Sequence, residues 1–232
     1  MKTKFIVVQL FLYIVFIILD LRSGYTFVSS SLKLLTIGLC LMWLIGNLIF
    51  ETKHSDNKGS ILKFKWMTTI LSFTFVSDIF LLFTKHYTVG IATFIMVQIL
   101  YACMVRKVKL KRALVIVLLV SVFGVIIFIF SKTNTVFTES FLMGFEVLIY
   151  AILFISNLIV YGSRSGLSDR NKWLFIGLCL YAICDLQVAI YNLPPNSVIP
   201  SSVIQFVAIG MWLFYLPGQV LLTLSTNKKG YL

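Results

Sequence analysis

The sequence predicts an all-α, polytopic membrane protein of eight transmembrane helices with both termini in the cytoplasm. Three observations carry that prediction. The chain has 232 residues, of which 59% are hydrophobic and 12% charged, and its mean hydropathy is +0.99. A soluble domain so apolar lacks the polar groups to cover its own surface. Eight apolar stretches each approach the roughly 20 residues that cross a bilayer core as helix. Basic residues crowd into alternate connections between those stretches.

The stretches fall at about 4–21, 31–50, 65–83, 87–105, 112–131, 141–161, 173–193 and 201–224. Lipid offers no partner for a loose backbone N–H or C=O, so helix is the expected state of each. The first has the basic start of a signal peptide, MKTKF, but no A-x-A cleavage site. It reads as a retained first helix. No interval has room for a soluble domain, so residues 1–232 read as a single integral membrane domain. Pro194 and Pro195 mark the last turn before the eighth stretch.

An even number of crossings places both termini on one side. Arg22, Lys33, Lys85 and Lys132 fall on the opposite side, and the other 16 of the 20 Lys and Arg share the side of the termini. The positive-inside rule assigns that basic side to the cytoplasm. The chain is therefore expected in the cell membrane, as a multi-pass protein. Its formal net charge of +12 has the same origin, so no nucleic-acid partner is expected. The densest basic run, Arg106-Lys107-Val108-Lys109-Leu110-Lys111-Arg112, is either a topology anchor or a contact for anionic lipid.

Cys40, Cys103, Cys179 and Cys184 lie in apolar runs without CxxC or zinc spacing. They read as buried apolar side chains. His54 and His86 read as exposed loop residues. No metal site and no cofactor are expected.

Ionisable groups inside a span are costly, which makes each a candidate for function. Three carboxylates qualify: Asp78 in FVSDIF, Asp185 in LYAICDL and Glu146. Asp78 lies about 13 residues beyond Lys65 and Asp185 about 12 beyond Trp173, counting helix at 1.5 Å per residue. Both come just outward of the midplane, on helices of the same direction. Gln98, about 11 residues along the returning fourth stretch, comes near the same level. Two carboxyls at one depth, with no deep Lys or Arg, suit a division of labour between a protonated acid and an ionised base. Glu146, near an outer end, can equally snorkel to the interface. Asp78 to Gln98 and Asp185 to Gln205 are both intervals of 20 residues, a faint parallel repeat.

Two polar stripes keep to single helix faces. One is Lys33, Thr36, Cys40, Trp43 and Asn47; the other is Glu146, Tyr150, Asn157 and Tyr161. Both faces are expected to turn away from lipid. Hydrogen bonds that tie helices together would use the same residues.

Five patterns recur in chain order: Lys33-Leu34; Ser77-Asp78; Gly90, Phe94, Gln98 and Tyr101; Gly177, Tyr181, Cys184 and Asp185; Tyr215 and Gln219. Together they resemble the YhhN-like, or lysoplasmalogenase, family of eight-span membrane proteins, from the second stretch to the eighth. The chain departs from the family pattern at Leu34, where the pattern has proline, at Ser77 for glycine, at Cys184 for serine and at Gln98 for histidine. A glutamine hydrogen-bonds but does not shuttle a proton near neutral pH.

The resemblance implies hydrolysis of the vinyl ether bond of a lysophospholipid-like substrate, a lysoplasmalogen. It implies Asp78 and Asp185 as catalytic residues, with Lys33, Gln98, Tyr101, Tyr215 and Gln219 binding substrate or supporting the site. Two other readings stay open. One is a lipid-binding or transport protein without catalysis, which Gln98 favours. The other is a structural or sensory membrane protein.

Overall fold

The computed structural model describes residues 2–22, 26–54, 57–84, 86–133, 139–167, 169–192 and 200–226. Among them lie eight α-helices: α1 (Lys2–Leu21), α2 (Thr26–His54), α3 (Lys58–Phe83), α4 (Tyr87–Val105), α5 (Leu110–Thr133), α6 (Glu139–Arg164), α7 (Asp169–Tyr191) and α8 (Ser201–Leu224). A single 3-10 turn, Ser165–Leu167, precedes α7, and no strand occurs among the described residues. Among the described residues, α1 to α4 and α6 to α8 are long and apolar enough to cross a membrane. The fold is thus all-helical and of the multi-pass kind.

Several helices outrun their apolar stretches. α2 begins at Thr26 and ends at His54, and α3 begins at Lys58. Bilayer thickness limits the apolar length, whereas backbone hydrogen bonding continues into the polar flanks. Caps then set the ends. The Asn57 side chain accepts from Gly59 N (3.1 Å) and Ser60 N (3.2 Å) and so satisfies two orphan donors of α3. α4 closes with Val108 N donating to Cys103 O (3.0 Å) and Lys107 N to Met104 O (3.2 Å), with Lys107 left-handed at φ 57°. This is the Schellman arrangement, in which glycine usually takes the left-handed position.

The packing divides into two compact units. The first comprises residues 1–43 and 164–232, hence α1, most of α2, α7 and α8. In α1, Phe5, Gln9 and Phe16 are buried, while Val7, Phe11, Ile14 and Ile18 are exposed. An apolar face that wide suits lipid rather than water. Gln9 Nε2 donates to Thr36 O (2.9 Å) and Cys40 Sγ (3.4 Å), which ties α1 to α2.

α7 and α8 meet through glycines. A Cβ added to Gly177 would stand 2.8 Å from Leu222 Cγ and 3.2 Å from the Gly218 carbonyl oxygen. Small residues at such a crossing let two backbones approach closely, the usual device for helix association in lipid. Pro217 lies inside α8 and has no N–H to give the Leu213 carbonyl four residues back. The Tyr13 hydroxyl donates to that carbonyl from α1, at 3.3 Å.

The second unit comprises residues 44–163. Its α3 and α4 form an antiparallel hairpin pinned by Ser77 Oγ donating to the Gly90 carbonyl, 2.6 Å. A Cβ on Gly90 would stand 2.6 Å from Leu81 Cδ2, so a larger residue there must displace the Leu81 side chain. α4 and α6 meet along one face of each. Phe94 packs edge-on to Tyr150, Gln98 meets Asn157, and Tyr101 packs edge-on to Tyr161. The partners ascend together, so α4 and α6 run in the same direction.

Candidate functional site

The first unit gathers four of the seven residues expected at a site: Lys33, Asp185, Tyr215 and Gln219. Lys33 sits about two turns into α2 and is buried. Its Nζ lies 2.8 Å from Asp20 Oδ2, with the two side chains 9% and 15% exposed. The Ser29 hydroxyl donates to the other Asp20 oxygen. The Lys33 ammonium also faces the Trp212 ring, 4.5 Å from its centroid, and the Phe16 ring at 5.7 Å. Carboxylate and aromatic faces together are the surroundings that stabilise a desolvated cation.

From that box an aromatic ladder continues. Trp212 packs edge-on to Tyr215 (5.3 Å) and Tyr215 edge-on to Tyr181 (4.9 Å). The Tyr181 hydroxyl donates to Gln219 Oε1. Gln219 is fully buried, and its Nε2 has no protein partner among the described residues. Tyr181 precedes Asp185 by one helical turn, so the two share a face of α7. Asp185 is half-buried and Cys184 buried.

The second unit holds Asp78, Gln98 and Tyr101. Asp78 is 4% exposed, in the last two turns of α3 beside the Ser77–Gly90 clasp. Gln98 is buried and receives the Asn157 side-chain amide twice: at its own backbone carbonyl (2.9 Å) and at Oε1 (3.0 Å). Tyr161 donates its hydroxyl to the Tyr101 carbonyl at 3.1 Å. The position where the family pattern has histidine is therefore a hydrogen-bonded tie between α4 and α6.

The expected stripes do face inward. Lys33, Thr36 and Cys40 are buried on α2, as are Asn157 and Tyr161 on α6. Glu146 is half-buried. All four cysteines are free, three of them buried. His86 is exposed at the start of α4; His54 is exposed too, but it lies in the last turn of α2 and stacks on Phe50, rather than in a loop. Arg106, Lys107, Lys109, Lys111 and Arg112 are all exposed. The Gln205 side chain and Lys85 lie outside the described residues.

Asp20, Ser29 and Trp212 were not among the expected site residues. Asp20 closes the first apolar stretch and Lys33 opens the second. In an antiparallel hairpin those two places come level, which is the signal that identifies the pair.

Compared with known proteins, the chain matches the family model described as the YhhN family over residues 28–226. No curated protein and no solved structure matches it.

Proposed function

This chain belongs to the YhhN family, and from that membership we propose a membrane-embedded hydrolase of the vinyl ether bond of lysoplasmalogen-type lipids. In this proposal all eight helices cross the cell membrane and both termini are cytoplasmic. The supporting observation is that both intramembrane aspartates stand at the family's motif positions, and Asp78 is buried in α3.

The chemistry needs two carboxyl roles. A neutral carboxylic acid protonates the alkenyl carbon, leaving a cation stabilised by the ether oxygen. A carboxylate opposes that cation and takes a proton from the attacking water. The hemiacetal formed collapses to a fatty aldehyde and a glycerophospho-alcohol, so one water is consumed per bond broken. Glycosidases divide two carboxyls in the same way against an oxocarbenium-like transition state. Asp78 and Asp185 take these roles. Lys33 binds the head group; Gln98, Tyr101, Tyr215 and Gln219 support the site.

The test is aldehyde release from an alkenyl lysolipid by the purified protein. Asp78→Asn and Asp185→Asn are each expected to lower the rate by at least about 100-fold, the usual contribution of a positioned acid or base. Full activity in either folded variant removes the acid–base assignment. A second reading is lipid binding or transport without hydrolysis. It is favoured by Gln98, whose Oε1 is engaged by Asn157 where a proton shuttle would stand. Saturable lysolipid binding with no aldehyde from the wild type supports it.

A further inference from the structure

The basic run between α4 and α5 takes no part in the proposed chemistry, yet it is the densest cluster of charge on the chain. Arg106, Lys107, Lys109, Lys111 and Arg112 are all exposed. None of the five enters an ion pair among the described residues. No acidic residue lies between Asp78 and Glu139, so α4, its closing turn and α5 offer them no carboxylate. Five like charges within seven residues repel one another, and the fold holds them together nonetheless.

The backbone fixes the cluster at both ends. The Schellman turn closes α4 through Val108 N to Cys103 O (3.0 Å) and Lys107 N to Met104 O (3.2 Å), and Ala113 N donates to Lys109 O (3.1 Å) as α5 begins. α5 lies against α4 and buries Ala113 and Val117. Its other faces are apolar and exposed. Lys111, Val115, Leu118 and Val122 follow at spacings of four, three and four, hence on one face; Arg112, Ile116, Leu119 and Phe123 repeat the pattern. Two basic side chains thus head two exposed apolar stripes.

We infer that the α4–α5 turn is a binding site for anionic phospholipid, in which the five cations meet the phosphate heads and the exposed stripes of α5 meet the chains. Charge complementarity calls for an anion, and the stripes decide which kind. They continue from the cations without interruption, so a ligand whose head meets Lys111 lies along Val115 and Leu118 with its tail. A water-soluble polyanion matches the charge and leaves the stripes uncovered; an amphiphile matches both. Each Lys or Arg beside an anionic surface strengthens the attraction roughly fivefold. A turn whose backbone is already hydrogen-bonded loses little freedom on binding. The inference is independent of the hydrolase reading, because none of the five residues belongs to that site.

The experiment measures binding of a fluorescent diacyl phosphatidylglycerol to purified full-length protein in uncharged micelles. Unlabelled phosphatidylglycerol is expected to compete about tenfold or more better than phosphatidylcholine with the same chains, since two charges already supply more than that factor. Raising the salt from about 50 to about 500 mM is expected to erode this preference, because exposed charges are screened. Lys109→Gln with Lys111→Gln is expected to lower phosphatidylglycerol binding by about tenfold or more and to spare phosphatidylcholine. Lys4→Gln with Lys172→Gln removes the same net charge from exposed positions in the other unit and is expected to leave binding within about twofold. Glycerol 3-phosphate, the head without chains, is expected not to displace the lipid. Equal competition by the two lipids overturns the inference, as do equal losses in the two paired variants. Displacement by glycerol 3-phosphate, or a preference for heparin over phosphatidylglycerol, overturns it too, in favour of a free phosphate or a soluble polyanion. Should the Lys109 and Lys111 variant fail to insert, the wild-type preference, its salt dependence and the glycerol 3-phosphate arm decide. The probes are diacyl and lack a vinyl bond, so the result stands apart from aldehyde release.

Discussion

The Tyr13 hydroxyl donates to the Leu213 carbonyl, the group that Pro217 leaves without its helical donor. A proline inside a span is tolerated where a neighbouring helix satisfies the freed carbonyl. Here α1 does so for α8. Tyr13→Phe is expected to destabilise the protein by about 1 kcal/mol, within the range of interhelical hydrogen bonds in lipid. With Pro217→Ala in place, residue 217 supplies its own N–H and the same change should cost almost nothing. Unfolding in micelles across the four variants measures the coupling. An equal penalty in both backgrounds refutes the link.

The pair Lys33 and Asp20 predicts a different double-mutant pattern. Lys33→Met strands a buried carboxylate, and Asp20→Asn strands a buried ammonium. Either change is expected to cost about 3 kcal/mol, as breaking a buried pair does. Lys33→Met with Asp20→Asn removes both charges and should recover most of that loss. Thermal unfolding in detergent reads the recovery, and additive losses would argue against a buried pair.

At the α7–α8 crossing the backbones leave no room for a side chain. Gly177→Val would put carbon against Leu222 and the Gly218 carbonyl. Overpacking of this kind typically costs about 1–3 kcal/mol. Gly46 has nothing within 4 Å of its would-be Cβ and lies mid-helix in α2. Gly46→Ala should therefore stabilise by about 0.5–1 kcal/mol through helix propensity alone. Opposite signs for the two glycines, measured by the same unfolding assay, are the expected outcome.

Lys107 occupies the left-handed position of the α4 Schellman turn. A residue with a Cβ is strained there by roughly 1–2 kcal/mol. Lys107→Gly is expected to raise stability by about 1 kcal/mol, the lower part of that range. No gain in unfolding temperature would mean that the turn is not held in this form.

Asn157 ties α6 to α4 through Gln98. Asn157→Leu leaves the Gln98 carbonyl oxygens without that donor and is expected to cost about 1 kcal/mol. In a Gln98→Leu background the same change should be much milder, because one of the two acceptors is gone. A double-mutant cycle on unfolding measures the difference.

Much of the helical pattern was legible along the chain. α4 and α8 run over Tyr87–Val105 and Ser201–Leu224, the spans their apolar stretches predict. The family patterns also had a physical content that only packing displays. Ser77 and Gly90 form one clasp, Gly177 sits under Gly218, and Tyr181 meets Gln219. Each motif residue was visible in sequence, but its partner was on another helix. In sequence Asp20, at the end of an apolar stretch, resembles an ordinary interfacial residue. Its importance comes from Lys33, which lies across a helical hairpin.

What the sequence determined by itself was the class of molecule: apolar length fixes helices in lipid, and the 3.6-residue period fixes which faces of α2 and α6 turn inward. The tertiary structure decided which polar groups meet. It spent the Lys33 charge on Asp20, gave the Pro217-freed carbonyl to Tyr13 and engaged Gln98 with Asn157. Composition and period are one-dimensional and survive in any packing. Partnership depends on distances of a few ångströms between helices, which the order of residues along one chain does not contain.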